Sequence, residues 1–229
     1  MTYLNDFISL IYPNLCAACG NVLLKNENTL CTSCLFYLPK TNYHKYKDNA
    51  VSKTFWGRIN IESAASMYHF TKSGDVQNMI HKFKYNGDKE IGIYLGKMYG
   101  NELRNSDIFN KIDIIVPVPL HPKKEKKRGY NQSTVFARGL SESMHIPVNN
   151  ISLIRTYASE SQTKKSRIGR WENVREIFSL KYKDDLVGKN ILLVDDVITT
   201  GATIEACGRL LLSIEGVKLY IVSMAIASN

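Results

Sequence analysis

The pattern of apolar and polar positions divides the chain into short buried runs and amphipathic stretches. Leu4, Phe7, Ile8 and Ile11 recur at helical spacing, and Pro13 ends that stretch. Residues 61–70 contain β-branched and aromatic side chains and read as a strand. Val76, Met79, Ile80 and Phe83 lie on one helical face. Asn86-Gly87-Asp88 breaks that helix, and residues 91–103 form another. Buried strands are then expected at 112–118, 191–194 and 219–226, with short strands at 151–154 and 177–180. Helices are expected at 133–144 and 202–212. Strands alternating with helices predict an α/β fold: a mostly parallel sheet with helices on both faces.

Two stretches escape this periodicity. Residues 41–56 are polar with three lysines, and 46–60 read as a linker between an N-terminal part (1–45) and the main domain (61–229). Residues 156–173 are polar and basic, and long for a connection without secondary structure. Such loops are often lids.

The chain of 229 residues has room for one sizeable core plus a small satellite. Its net charge of +9 favours polyanionic partners, with nucleic acid, phosphorylated metabolites and anionic membranes all open. No apolar run approaches the ~20 residues of a membrane span, so no membrane insertion is expected. The N-terminus lacks a basic region, and Asp6 interrupts its apolar residues, so no secretory signal is expected either. A cytoplasmic location follows as an expectation.

Four of the five cysteines form two pairs, Cys16/Cys19 and Cys31/Cys34, each with two residues between its members. Four thiolates in two turns suit tetrahedral zinc, and Gly20 helps shape the first turn. Redox pairs or disulfides are the competing reading. A closed four-sulfur site leaves no position for substrate, so a structural zinc ribbon is expected. Cys207 reads as core, and the five histidines show no metal spacing. Trp56 and Trp171 are candidates for stacking on bases, with packing the plainer role for Trp56.

The strongest motif runs from Leu192 to Thr203: Leu-Leu-Val-Asp-Asp-Val-Ile-Thr-Thr-Gly-Ala-Thr. It is placed where a buried strand gives way to a helix, and ligands of open α/β sheets bind at the carboxyl ends of strands. Backbone N–H groups and hydroxyls of residues 199–203, with a helix N-terminus behind them, suit a phosphate. Asp195 and Asp196 suit sugar hydroxyls. Hydroxyls at one end and phosphate at the other match a ribose 5-phosphate. A second motif follows the strand at 112–118. There Val-Pro-Val-Pro leads into residues 123–128, five of them basic, and then Gly-Tyr-Asn-Gln. Cations at a strand end suit a pyrophosphate, although a basic run is often only a solvated loop.

The first motif resembles the phosphoribosyl-pyrophosphate signature of type I phosphoribosyltransferases. The combination of both motifs with the cysteine pairs resembles the ComF family, which includes late-competence proteins and the gluconate-utilisation-associated homologue. Phe83-Lys84-Tyr85-Asn86-Gly87-Asp88 also matches that family. The resemblance implies that Asp195 and Asp196 contact the ribose, and that Thr199, Thr200, Gly201, Ala202 and Thr203 hold the 5-phosphate. Pro119, Leu120, His121, Lys123 and Arg128 would hold the pyrophosphate, with Gln162, Arg170 and Asn173 on a flexible loop. It further implies 5-phosphoribosyl 1-pyrophosphate as donor, magnesium entering with it, and an acceptor that the sequence leaves unnamed. A second function class stays open: a protein of DNA uptake in natural transformation that binds single-stranded DNA or partner proteins without turnover.

Overall fold

Within Ile191–Val194 consecutive side chains alternate between two separate buried clusters. Leu192 and Val194 enter one, while Ile191 and Leu193 enter the other. That is the mark of a strand covered on both faces. The structure, a computed structural model, describes residues 13–155 and 177–227. The expected N-terminal helix and the basic stretch 156–173 fall outside the described residues.

Four strands form a parallel sheet: β1 (Ser63–Phe70), β2 (Ile114–Pro117), β5 (Asn190–Ile198) and β6 (Lys218–Ala227), in the order β1-β6-β5-β2. Val148 adds a parallel bridge to Ile115 outside β2. An antiparallel pair, β3 (Leu153–Arg155) and β4 (Phe178–Leu180), leads into and out of residues 156–176. Helices α3 (Asp75–Tyr85), α4 (Lys89–Arg104) and α6 (Gln132–Met144) bury side chains in one cluster; α7 (Ala202–Leu212) buries its own in the other. The expected fold class is therefore observed.

Two glycines set how α4 meets α6. A Cβ on Gly96 would lie 2.5 Å from the Phe136 carbonyl oxygen, and one on Gly139 would lie 2.4 Å from that of Ile93. The two backbones touch, and only hydrogen fits between them.

The cysteine-bearing segment, which includes the short helix α1 (Thr32–Tyr37), packs on the same side. Ala17, Ala18, Leu30 and Leu38 belong to the same buried cluster as Phe83, Tyr99 and Phe136. The chain leaving it runs along β1, where Thr41 N–H donates to the Met67 carbonyl (3.0 Å) and His69 N–H to that of Pro39 (2.9 Å). This covers a sheet edge that would otherwise be open to pairing. Residues 46–60, read from their polarity as a linker, contain the short helix α2 (Ala50–Lys53). Asn49 caps it by accepting from the Val51 and Ser52 N–H groups. Val51 and Phe55 are fully buried against the far face of the sheet. Too few apolar positions separate these two for a period to show.

The basic run after β2 is a helix where the sequence suggested a loop. In α5 (Pro122–Arg128), His121 Nδ1 accepts the Lys123 N–H, Pro122 takes the first turn and Gly129 ends it. Its residues are all charged past Pro122, so no apolar period announces it.

Candidate functional site

The helix after β2 leads outward to Val148, and the helix after β5 leads the other way to β6, on the opposite face. The connections diverge between β2 and β5. In doubly wound sheets that divergence leaves a crevice at the strands' carboxyl ends. Val118 N–H donates to the Val194 carbonyl (2.8 Å), joining the two strand ends just before the crevice begins.

Asp195 and Asp196 sit at this point, still within β5: the strand runs on to Ile198, four residues past the apolar stretch. Asp195 is held in register opposite Ser223. Its Oδ1 accepts from the Ser133 hydroxyl and from the Asp196 N–H, both at 2.9 Å. Burial first, then the adjacent Asp196 carboxylate, pushes the Asp195 carboxyl up to about 7, against the pull of those donors and of Lys84. Asp196 Oδ2 lies 2.8 Å from Lys84 Nζ. The pair thus divides into one carboxyl held toward its protonated form and one paired with a cation.

The turn after β5 rises into α7. Gly201 has φ of +74°, a conformation that disfavours any residue with a Cβ. A Cβ there would also lie 2.9 Å from the Phe55 ring. Thr199, Thr200, Ala202 and Thr203 are exposed. Arg58 braces the turn from below: its guanidinium donates to the Thr200 carbonyl (2.8 Å) and to Glu205 Oε2 (2.8 Å). The guanidiniums of Arg209 and Arg58, with burial opposing them, hold the Glu205 carboxyl below its ordinary value.

Across the crevice, Pro119, Leu120 and His121 follow β2, while Lys123 and Arg128 belong to α5. Arg128 donates to Gln132 Oε1 (2.8 Å) and stacks 5.2 Å from the Tyr85 ring, next in sequence to Lys84. That contact brings the end of α5 to the side of the crevice where Lys84 meets Asp196. Lys123 is exposed, and no ion pair or hydrogen bond of its side chain ties it to the carboxylates among the described residues. Tyr130 and Asn131 are structural: Tyr130 donates to the Phe83 carbonyl, and Asn131 caps α6 and donates to the Val118 carbonyl. Gln162, Arg170, Trp171 and Asn173 lie outside the described residues.

Lys84, Ser133 and Arg58 carry no assigned role in the sequence reading. Lys84 lay within a quoted segment, but nothing in the spacing linked it to a carboxylate more than a hundred residues on. Ser133 is the first residue of a predicted helix and gave no sign of its direction.

The four paired cysteines form one cluster, with their sulfurs all within 4.8 Å of one another. Cys19 Sγ and Cys31 Sγ are 3.7 Å apart; tetrahedral zinc with Zn–S bonds near 2.3 Å needs about 3.8 Å. The Cys31 N–H donates to Cys16 Sγ and the Cys34 N–H to Cys31 Sγ, both at 3.4 Å. Burial and then the thiols of Cys19, Cys31 and Cys16 push the Cys34 thiol up. Burial also opposes ionisation of Cys16, but N–H groups of Cys31, Cys19 and Ala18 outweigh it and bring that thiol down to about 7. Four such thiols ionise together only around a cation, so the donor set fits a metal. Cys207 is fully buried in the core, as expected. Trp56 is 58% exposed with Lys53 over its ring, which leaves little of the packing role. Among the described residues no helix is long and apolar enough to cross a membrane.

Comparison with known proteins places these features. The phosphoribosyl transferase domain family matches residues 101–227. The chain is 28% identical over 209 residues to the DNA utilization protein YhgH of Escherichia coli K12, covering 90% of this chain and 87% of that one. It is 29% identical to competence protein ComFC of Bacillus subtilis over 86% of this chain and 77% of the relative. Competence protein F of Haemophilus influenzae is 30% identical over 62% and 65%. These relatives bear out the ComF resemblance. Among solved structures, glutamine phosphoribosylpyrophosphate amidotransferase from B. subtilis aligns with a TM-score of 0.42 at 21% identity, over 62% of this chain but only 30% of that one. An adenine phosphoribosyltransferase aligns with a TM-score of 0.38 at 18% identity, over 63% and 75%.

Proposed function

Because the chain belongs to the phosphoribosyl transferase domain family, we propose that its crevice binds 5-phosphoribosyl 1-pyrophosphate with magnesium and serves transfer of the phosphoribosyl group. The observation that carries this reading is the strand end where Asp195 and Asp196 precede the Gly201 turn and the N-terminus of α7. Exposed hydroxyls and N–H groups of residues 199–203 would receive the 5-phosphate, and the dipole of α7 favours its charge. Asp195 and Asp196 would accept from the ribose hydroxyls. Magnesium would travel on the donor's own oxygens and neutralise the pyrophosphate, with Asp195 and Asp196 the carboxylates that β5 brings to its side. In transfer, the bond from the ribose anomeric carbon to pyrophosphate breaks, pyrophosphate leaves with the bonding electrons, and the acceptor's lone pair closes the new bond. The residues' part is to hold the ribose while cationic character develops on it, and to keep Lys84 and Arg128 near the departing charge. At the N-terminus, the four cysteines would hold one structural zinc.

Calorimetric titration of the full chain with the donor and magnesium tests this. Binding that falls roughly tenfold or more in Asp196→Asn and in Thr200→Val is expected, from loss of charge-assisted bonds of about 1.5–3 kcal/mol. Pyrophosphate release with a panel of bases then reads turnover. A wild-type chain that fails to bind the donor overturns the assignment.

A second reading rests on α5, whose Lys123, Lys124, Lys126 and Lys127 all face solvent and make no ion pair among the described residues. We propose that this helix contacts single-stranded DNA through phosphate charge, in a protein of DNA uptake. Exchanging the four lysines for alanine should flatten the dependence of DNA affinity on salt. An unchanged slope excludes the helix as the contact.

A further inference from the structure

A cavity of about 450 Å³ opens beside the crevice but on the outer side of β2. The first turns of α6 separate the two. Ser133 reaches Asp195, whereas Thr134, the next residue, and Arg138, one helical turn on, line the cavity. Neither aspartate nor any residue of 199–203 belongs to its wall. Of the residues expected at the pyrophosphate, only Pro119 and Leu120 border it.

Its charge is one-sided. Among the described residues, Lys89, Arg138 and Arg155 line it against a single carboxylate, Glu125. Arg138 is exposed and makes no ion pair or hydrogen bond among the described residues. The guanidinium of Arg155 lies 5.2 Å from the Phe178 ring, and its Nε is buried with no acceptor among the described residues. A buried donor without an acceptor calls for one. Lys89 stands 5.2 Å from the Tyr130 ring, an attraction that leaves its charge uncompensated. The rest of the lining is mixed: Asn131, Thr134 and Asn150 are polar, while Val135, Leu153 and Ile154 contribute apolar atoms.

Guanidinium forks match phosphate oxygens, and the Tyr130 ring with the apolar atoms of Val135, Leu153 and Ile154 offers a surface for a flat organic body. We propose that this cavity is a second anion site, separate from the donor crevice, that takes a phosphate monoester on a small planar body, the class of the nucleoside 5′-monophosphates. It stands apart from the donor reading, since no residue assigned to the ribose or the 5-phosphate takes part.

The test is calorimetric titration of the full chain with adenosine 5′-monophosphate, and with adenosine as the uncharged probe. The nucleotide should bind and adenosine should bind at least about tenfold more weakly. Arg138→Ala, at an exposed position, should keep its melting temperature and its titration with the phosphoribosyl donor, yet weaken the nucleotide about tenfold. Thr200→Val should leave the nucleotide's affinity as in the wild type. Equal affinity for adenosine, or unchanged nucleotide affinity in Arg138→Ala, overturns the proposal. So does loss in Thr200→Val alone, which would put the nucleotide in the turn before α7. A decathymidylate that binds through Arg138 while the mononucleotide does not bind assigns the cations to nucleic acid and overturns it as well.

Discussion

Lys84 Nζ and Asp196 Oδ2 lie 2.8 Å apart, and both side chains are mostly buried, at 20% and 15% exposure. The ammonium from the last turn of α3 is the charge that keeps two adjacent carboxyl groups tolerable at one strand end. Lys84→Met removes it and leaves Asp196 facing Asp195 alone. We expect a loss of about 1.5–3 kcal/mol in stability, read from urea unfolding, and donor affinity reduced about tenfold.

The raised Asp195 carboxyl predicts a pH dependence. The unfolded chain releases this proton near the ordinary carboxylate value, while the folded chain keeps it up to about 7. Between those limits the folded state holds more protons, so its stability falls as pH rises. Asp195→Asn has no such proton. Urea midpoints measured from pH 5 to 8.5 should show the wild type losing stability relative to this variant, with the difference levelling above about pH 7. A constant difference would mean that Asp195 ionises as a solvated carboxylate does. Donor binding, if it uses the ionised form, should strengthen across the same interval.

Gly201→Ala meets two obstacles, a φ of +74° and the Phe55 ring 2.9 Å from the new methyl. The expected cost is about 1–3 kcal/mol, with donor affinity reduced because the turn's N–H groups are displaced. Adding Phe55→Leu should recover part of the stability by making room, and little of the binding, since the dihedral remains.

Cys34→Ser removes one thiolate from a cluster that shares its buried side chains with the main domain. Elemental analysis should find about one zinc per wild-type chain and markedly less in the variant. The melting temperature should fall on the order of 10 °C in a single transition. Two separate transitions would show that the ribbon melts by itself.

The sheet strands and the main-domain helices other than α5 were legible because each buries several apolar residues at a clear period. The motif at 192–203 was legible because its aspartate pair, threonines and Gly201 are contiguous in the chain. What escaped has common physical causes. Aspartates are poor strand formers, so β5 seemed to stop at Val194 although its pairing with β6 carries it to Ile198. Helix α5 is built by its cap, Pro122 and Gly129, and buries no apolar face. Lys84, Arg58 and Ser133 act across long stretches of chain, and only the closed fold shows which carboxylate or carbonyl each one meets.

The contact of Gly96 with Gly139 carries a consequence well away from where it occurs. Helix α6 presents Ser133 to Asp195, and the turn into α4 follows directly on Lys84 and Tyr85. A single methyl at the crossing would wedge the helices apart and shift both partners of the aspartates at once. The width of the crevice beside the aspartates is therefore gauged by a hydrogen-wide seam that lies outside it. Chains with a bulkier residue at the seam would have to widen it elsewhere to keep the same reach.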